Sequence, residues 1–284
     1  MNTPTILVTG ATGTVGSALV PVLRDSGVHV RAMTRNPGYT LPGVQTQLAD
    51  LHDSDSISAA LDGIDAVFLN SPSTEDAAAL QVRFLDLTAK AGIPKVVVLS
   101  QYGATADSPV RFLRWHAQVE DHIRTLDFSA TVLRPNLYLQ SLLAFADTIA
   151  QGILAAPIGA VAVSAIDTRD IADAAAAVLT SDDHNGRTHT LTGPRAITHS
   201  EIADALGAAT GNAITFQDLP PEHFMAALEN YVPQWQLEGL VEDYAHYSRG
   251  EASDVTTAVA DLTGRPARDV TDFARDYAAA FTRP

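Results

Sequence analysis

The sequence predicts an α/β protein: a parallel sheet covered by helices on both faces, joined to a smaller lobe. Three observations carry this expectation. Short apolar runs alternate with longer segments of helical spacing through the first half of the chain. The first apolar run opens directly into closely spaced glycines. Past residue 136 the alternation loses its regularity.

The elements follow in order. Ile6 to Thr9 reads as a short buried strand, and Val15, Leu19, Val22 and Leu23 give Thr14 to Asp25 a helical stripe. Val28 to Thr34 is a second strand, closed by the turn residues Asn36, Pro37 and Gly38. Val44 to Leu48 is a brief third strand, and Ser54 to Leu61 a helix opened by a serine or aspartate cap. Ala66 to Asn70 forms a fourth strand, Asp76 to Ala91 a helix stopped by Gly92 and Pro94, and Val96 to Ser100 a fifth strand. Arg111 to Thr125 is amphipathic and helical, and Ala130 to Arg134 is a strand that stops at Pro135. Beyond it we expect helices over Leu139 to Gln151, Ile171 to Leu179 and Ser200 to Ala209, a strand over Thr188 to Thr192, and a mostly helical tail from Glu222. The expected division is a Rossmann-like, doubly wound domain over 1–136, to which later segments can return, and a smaller α/β lobe mainly over 137–284 for substrate.

Composition narrows the function. At 284 residues and 46% hydrophobic the chain can bury a sizeable core, yet its formal net charge is −15 and Lys90 and Lys95 are its only lysines. That balance argues against nucleic acid and anionic membrane as partners, since both need clustered cations. The absence of cysteine excludes disulfides and thiolate metal sites, and the scattered histidines give no metal-ligand spacing. The first residues lack a basic leader, Gly10 interrupts their apolar run, and no stretch is long enough to span a bilayer, so a cytoplasmic protein is expected.

The segment TGATGTVG, Thr9 to Gly16, joins the first strand to the first helix. Glycines there permit a tight turn, close approach of a pyrophosphate and close helix packing, while the helix start offers unpaired N–H groups to phosphate. Its spacing is G-x-x-G-x-x-G. The second strand ends at Thr34 and Arg35, with Arg31 before it and no carboxylate nearby, a pattern that suits a 2′-phosphate and therefore NADPH over NADH. Asp50 and Leu51, after the third strand, would flank the adenine. Asn70, Ser71 and Pro72, at the carboxyl end of the fourth, would line the ribose side.

Taken together, TGATGTVG, Ala49 to Leu51, Val97 to Ser100, Leu133 to Asn136, Ile166 to Asp173, Thr190 to Pro194 and Leu262 to Pro266 resemble the atypical short-chain dehydrogenases of the NmrA-like group, over essentially the whole chain. His116 and Glu120 resemble the His-x-x-x-Glu helix of its quinone and triphenylmethane reductase branch. The resemblance implies a Rossmann-like NADP domain with a small C-terminal substrate lobe, and NADPH-dependent reduction of quinones, azo dyes or triphenylmethane dyes. It equally implies the alternative of a redox-sensing regulator that binds NADP(H) without turnover. By that resemblance Gly10, Thr12, Gly13, Val15, Gly16, Arg35, Asp50, Asn70 and Pro135 contact the cofactor. Thr14, Leu51, Ser71, Pro72 and Ser100 complete the candidate set.

The chemistry open to the chain is limited. Neither lysine follows a tyrosine by four residues, so the Tyr-x-x-x-Lys acid of the wider superfamily is missing, which counts against simple ketone reduction and sugar epimerisation. A quinone suits what remains: its reduced oxyanion is delocalised and takes a proton from water without a dedicated strong acid. Candidate catalytic residues are Ser100, closing the fifth strand, Tyr102 in the loop after it, and His116 at the start of the next helix. Tyr102 and His116, with Tyr138 beyond Pro135, are the candidate substrate contacts, and Glu120 is read as an ion-pair or helix contact. The identity of the acceptor and the oligomeric state, a homodimer included, are left open.

Overall fold

The computed structural model describes residues 3–282; the ends of the two expected ranges, Met1, Asn2, Arg283 and Pro284, lie outside the described residues. Its elements run β1 (Thr5–Val8), α1 (Thr14–Asp25), β2 (His29–Thr34), β3 (Gln45–Leu48), α2 (Ser54–Leu61), β4 (Ala66–Leu69), α3 (Ala77–Lys90), β5 (Lys95–Leu99), α4 (Arg111–Ile123) and β6 (Ser129–Pro135). A 3-10 segment (Leu139–Phe145) follows, then α5 (Ala146–Ala150), β7 (Ile153–Ala156), α6 (Thr168–Thr180), β8 (Thr188–Leu191), α7 (His199–Thr210) and β9 (Thr215–Asp218). The chain closes with α8 (Pro221–Leu228), α9 (Gln234–Ser248), α10 (Ala258–Thr263), α11 (Val270–Asp276) and a last 3-10 turn.

Two compact units emerge. The first comprises Met1–Ala106, Trp115–Arg134 and Thr168–Thr190. Its sheet has the order β3-β2-β1-β4-β5-β6-β8, and every pairing from β3 through to β6 is parallel. Strands covered on both faces must be apolar throughout, and β4 and β5 are buried at every position. One core joins Leu7, Val67, Val96 and Val98 from the sheet to Ile57, Phe84 and Leu85 from α2 and α3; on the other face α6 packs along α1. The order reverses between β1 and β4, and in open parallel sheets ligands bind beyond the strand ends at such a point.

The second unit comprises Asp107–Arg114, Pro135–Asp167 and Leu191–Pro284. Its core gathers Leu139, Leu142, Leu154, Ile202, Leu206, Phe273 and Phe281. Arg111 anchors its first segment: the N–H is capped by Glu242 at 2.7 Å, and the guanidinium bonds both Glu242 and Glu238 of α9.

Two expectations need correction. The helix expected over Leu139 to Gln151 is a 3-10 segment followed by the five residues of α5. The Ser141 hydroxyl donates back to the Tyr138 carbonyl, one of the local bonds that compete with helix formation. The parallel pair β7–β9 was not foreseen, because four-residue strands paired across sixty positions leave no periodic trace. No described helix is long and apolar enough to cross a membrane.

Candidate active site

The turn after β1 is built by its glycines. Gly10 adopts φ +59°, and a Cβ there would press on the Asn70 carbonyl oxygen at 2.9 Å. A Cβ on Gly16 would overlap the Gly10 carbonyl and the Ala11 Cα, so only glycine lets α1 lie this close to the turn. Gly13, the N-cap of α1, is different: it is exposed, extended, and a Cβ would meet only the Gly10 oxygen at 3.3 Å. No side chain caps α1 and no acid lies in its first turn. Its positive end is thus left without a carboxylate of its own, a start that fits a pyrophosphate. Thr12, Gly13 and Thr14 are exposed at this mouth, whereas Val15 is 2% exposed and offers only its backbone.

The neighbouring strand ends complete a cradle. Thr9 ties β1 to β4 through its hydroxyl, which accepts from the Asn70 N–H at 2.8 Å. Arg31 is occupied: its guanidinium bonds the Ala60 and Asp62 carbonyls at the end of α2 and the Gln45 side chain. Arg35 is exposed just past β2, with no hydrogen bond or ion pair among the described residues, which suits a 2′-phosphate. Asp50 accepts from the His52 N–H at 2.9 Å and faces its Nδ1 at 3.0 Å, while His52 Nε2 reaches Asp76 at 3.0 Å. The backbone bond first, and then the ring bond, hold the Asp50 carboxyl below its ordinary value. Leu51 is buried and its carbonyl accepts from Arg83. Ser71 accepts from Gln81 Nε2 at 2.9 Å, and Pro72 is exposed. Glycine cradle, uncapped helix and unengaged arginine together fit a phosphate-rich dinucleotide.

Ser100 follows β5 and is buried. Its hydroxyl donates to Glu120 Oε1 at 2.5 Å, and Arg134 grips the same carboxylate through Nε at 2.9 Å and Nη2 at 2.5 Å. His116 lies one helical turn before Glu120. It sits inside α4 and not at its start, because the helix already begins at Arg111, where Glu242 caps it. Desolvation pushes its pKa down to about 4, with Glu120 pulling upward and Arg134 downward. At neutral pH the ring is uncharged and can donate one hydrogen bond. Tyr102 is half-buried in the turn after Ser100. Glu120 thus organises this group. The spacing exposed Glu120, but nothing in the sequence signalled Arg134 as its partner.

Pro135 and Tyr138 belong to the second unit. Pro135 is buried, and Tyr138 pairs in a parallel bridge with Ile166, its hydroxyl pushed well above the usual phenol range by burial. Asn136, beside them, is structural: its amide donates to Ser164 Oγ and the Ala252 carbonyl.

The model of the NmrA-like family matches residues 2–262. The chain belongs to the NmrA-like family. The NAD(P)H azoreductase of Xenophilus azovorans is 33% identical to this family member over 97% of the chain and 99% of its own length. The (4-alkanoyl-5-oxo-2,5-dihydrofuran-3-yl)methyl phosphate reductase of Streptomyces griseus is 32% identical, over 97% and 99%. Among solved structures, the NADPH-dependent quinone oxidoreductase of Escherichia coli complexed with NADPH superposes with a TM-score of 0.86 at 25% identity, covering 95% of this NmrA-like chain and 99% of the other.

Proposed function

We propose that this NmrA-like chain is an NADPH-dependent reductase that delivers hydride to a quinone or a similar conjugated acceptor. The observation that carries the reading is the phosphate cradle at the β1–α1 turn with Arg35 beside it. The azoreductase and quinone oxidoreductase relatives support the reaction class.

NADPH, when bound, supplies the hydride. Gly10, Gly13 and Gly16 admit the pyrophosphate, with Thr12 and Thr14 at the mouth and the backbone of Val15 within the same turn. Arg35 takes the 2′-phosphate, Asp50 and Leu51 flank the adenine, and Asn70, Ser71, Pro72, Ser100 and Pro135 complete the wall. The Ser100 hydroxyl proton is committed to Glu120, so Ser100 serves as an acceptor and a positioning group and not as an acid. His116, uncharged at neutral pH, donates a hydrogen bond to the oxygen on which charge develops. Tyr102 and Tyr138 shape the acceptor's surroundings. No strong acid is required, in keeping with an acceptor whose reduced form is delocalised.

In the same reading residues 1–136, with later returns, carry the cofactor, and 137–284 mainly the substrate. The chain works in the cytosol, without nucleic acid or membrane as partner; its net charge of −15 supports the last point. The deciding test is oxidation of NADPH and of NADH against a panel of quinones and azo dyes, with binding measured in parallel. Turnover preferring NADPH is expected. Tight NADPH binding with no turnover on any acceptor overturns the reductase and favours an NADP(H)-sensing regulator.

A further inference from the structure

His52 holds two carboxylates at once. Its Nδ1 lies 3.0 Å from Asp50 Oδ1 and its Nε2 lies 3.0 Å from Asp76 Oδ2, while its backbone N–H donates to Asp50 Oδ1 at 2.9 Å. At neutral pH both carboxyls are ionised and only accept hydrogen bonds, so each ring nitrogen must carry a proton. A neutral ring would turn a bare lone pair towards one of the two. The geometry is that of an imidazolium, and the same bonds, Asp50 first and then Asp76, raise the ring's pKa above its ordinary 6.5.

The bridge joins two segments that flank the phosphate cradle. Asp50 and His52 follow β3, whereas Asp76 stands at the start of α3, after β4. In the sheet order β2 and β1 lie between them, and the ends of those strands carry Arg35 and the glycine turn. Arg35 also lowers the pKa of Asp50 slightly, as a charge felt through space. Asp50 therefore stands between two cations, His52 in contact and Arg35 further off. The remaining charges are already engaged or exposed. Asp53 is turned to the N–H groups of Asp55 and Ser56 at the start of α2, and the Asp55 and Glu75 side chains are exposed. Arg83 of α3 bonds the Leu51 carbonyl. While the His52 ring is charged, it and Arg35 together cancel Asp50 and Asp76. Once the ring is neutral, one negative charge is left in excess beside the group that receives a phosphate.

All three bridging side chains are about half exposed, and exposed ion pairs contribute little to stability. Their effect on an incoming anion is separate from that. A change of one charge near a 2′-phosphate acts on both negative charges of the phosphate, and it acts on NADPH alone because NADH lacks the group.

We propose that His52 is a specificity-determining residue for the cofactor: as an imidazolium between Asp50 and Asp76 it cancels carboxylate charge beside Arg35 and so tilts binding towards NADPH over NADH. This role rests on the reading of Arg35 as the seat of the 2′-phosphate.

The test is the Kd of the whole chain for NADPH and for NADH from pH 7 to 9 at low ionic strength. In that range the 2′-phosphate, with a second pKa of about 6, is already dianionic and adds no titration of its own. The preference for NADPH is expected to fall about threefold as His52 loses its proton, and by less in high salt. His52→Gln should show the lowered preference already at pH 7 and keep it to pH 9. His52→Arg, charged throughout, should hold the full preference across the range. Near pH 8 the wild-type chain should take up more protons on binding NADPH than on binding NADH, read by calorimetry in buffers of different ionisation enthalpy. That readout needs no variant, so it decides even if a substitution disturbs folding. A preference for NADPH that is flat with pH, or that falls equally in His52→Gln, or equal proton uptake with the two cofactors, overturns the role of His52 and leaves the Arg35 seat standing. A wild-type chain that prefers NADPH at no pH removes the seat, and this role with it.

Discussion

Arg31 and Arg35 leave the same stretch of chain with different duties. Arg31 closes the end of α2 by bonding two of its last carbonyls, whereas Arg35 makes no hydrogen bond or ion pair among the described residues and acts on Asp50 only as a weak through-space charge. Arg35→Ala is therefore expected to raise the Kd for NADPH about 10- to 100-fold, the worth of a charge-assisted contact, and to move that for NADH less than about threefold. Titration of both cofactors checks it, and equal losses would sink the 2′-phosphate assignment. Arg31→Ala should instead lower the Tm and spare the cofactor ratio. The sequence could place Arg31 within the second strand and Arg35 just past its end. It could not separate them, because the carbonyls that occupy Arg31 lie some thirty positions away. The same holds for Ser100: its position at a strand end was legible, but its engagement with Glu120 twenty residues on depends on how α4 packs.

At the scale of elements, the β1–α1 turn separates two uses of glycine that look alike in the motif. Gly16→Ala forces a methyl into the Gly10 carbonyl and is expected to cost about 1–3 kcal/mol of stability, read by urea denaturation. Gly13→Ala meets one oxygen at 3.3 Å with its φ of −82° already suited to alanine, so the fold should hold while NADPH affinity falls about tenfold. If Gly13→Ala binds NADPH normally, the mouth of the turn is not where the pyrophosphate lies. A second prediction concerns the Ser100–Glu120–Arg134 group, which joins the ends of β5 and β6 to α4. Glu120→Gln strips the charge from a carboxylate whose side chain is 4% exposed, leaves Arg134 without its counterion and should lower stability by about 1–3 kcal/mol, partly offset because Arg134 is 25% exposed. A denaturation midpoint equal to wild type would contradict it. The alternation of strands and helices made the first unit legible, since each βα step is local. The second unit was opaque for the opposite reason: β7 and β9 are short and pair at long range, and a 3-10 segment stands where periodicity suggested a helix.

Over the whole molecule, the two deeply perturbed histidines link stability to pH. His116 and His199, one in each unit, both have pKa values pushed down to about 4, with desolvation the leading cause. In the unfolded chain each ring takes up a proton near its ordinary value of 6.5; in the folded chain neither does so until about 4. Between those limits the unfolded state binds more protons, so stability falls as the pH drops from 6.5 towards 4 and levels off once both states are protonated. Each pH unit is worth ~1.4 kcal/mol for a fully buried ring. The full effect is about 3 kcal/mol for His199, and smaller for the half-buried His116, whose charged form water partly screens. His52 works in the opposite sense, since Asp50 and Asp76 raise its pKa, but it is solvent-exposed and its contribution is weak. Glu251, held down to about 2 by Arg249 and then His246, adds its loss only at lower pH, below the ordinary carboxylate value. The acid limb therefore has two separable parts. Denaturation midpoints from pH 7 to 3 should show a first decline over the histidine range, and His199→Gln should flatten it by removing about one proton from the uptake on unfolding. A decline that starts only in the carboxylate range, or one that His199→Gln leaves unchanged, would mean that His199 already carries a proton in the folded protein.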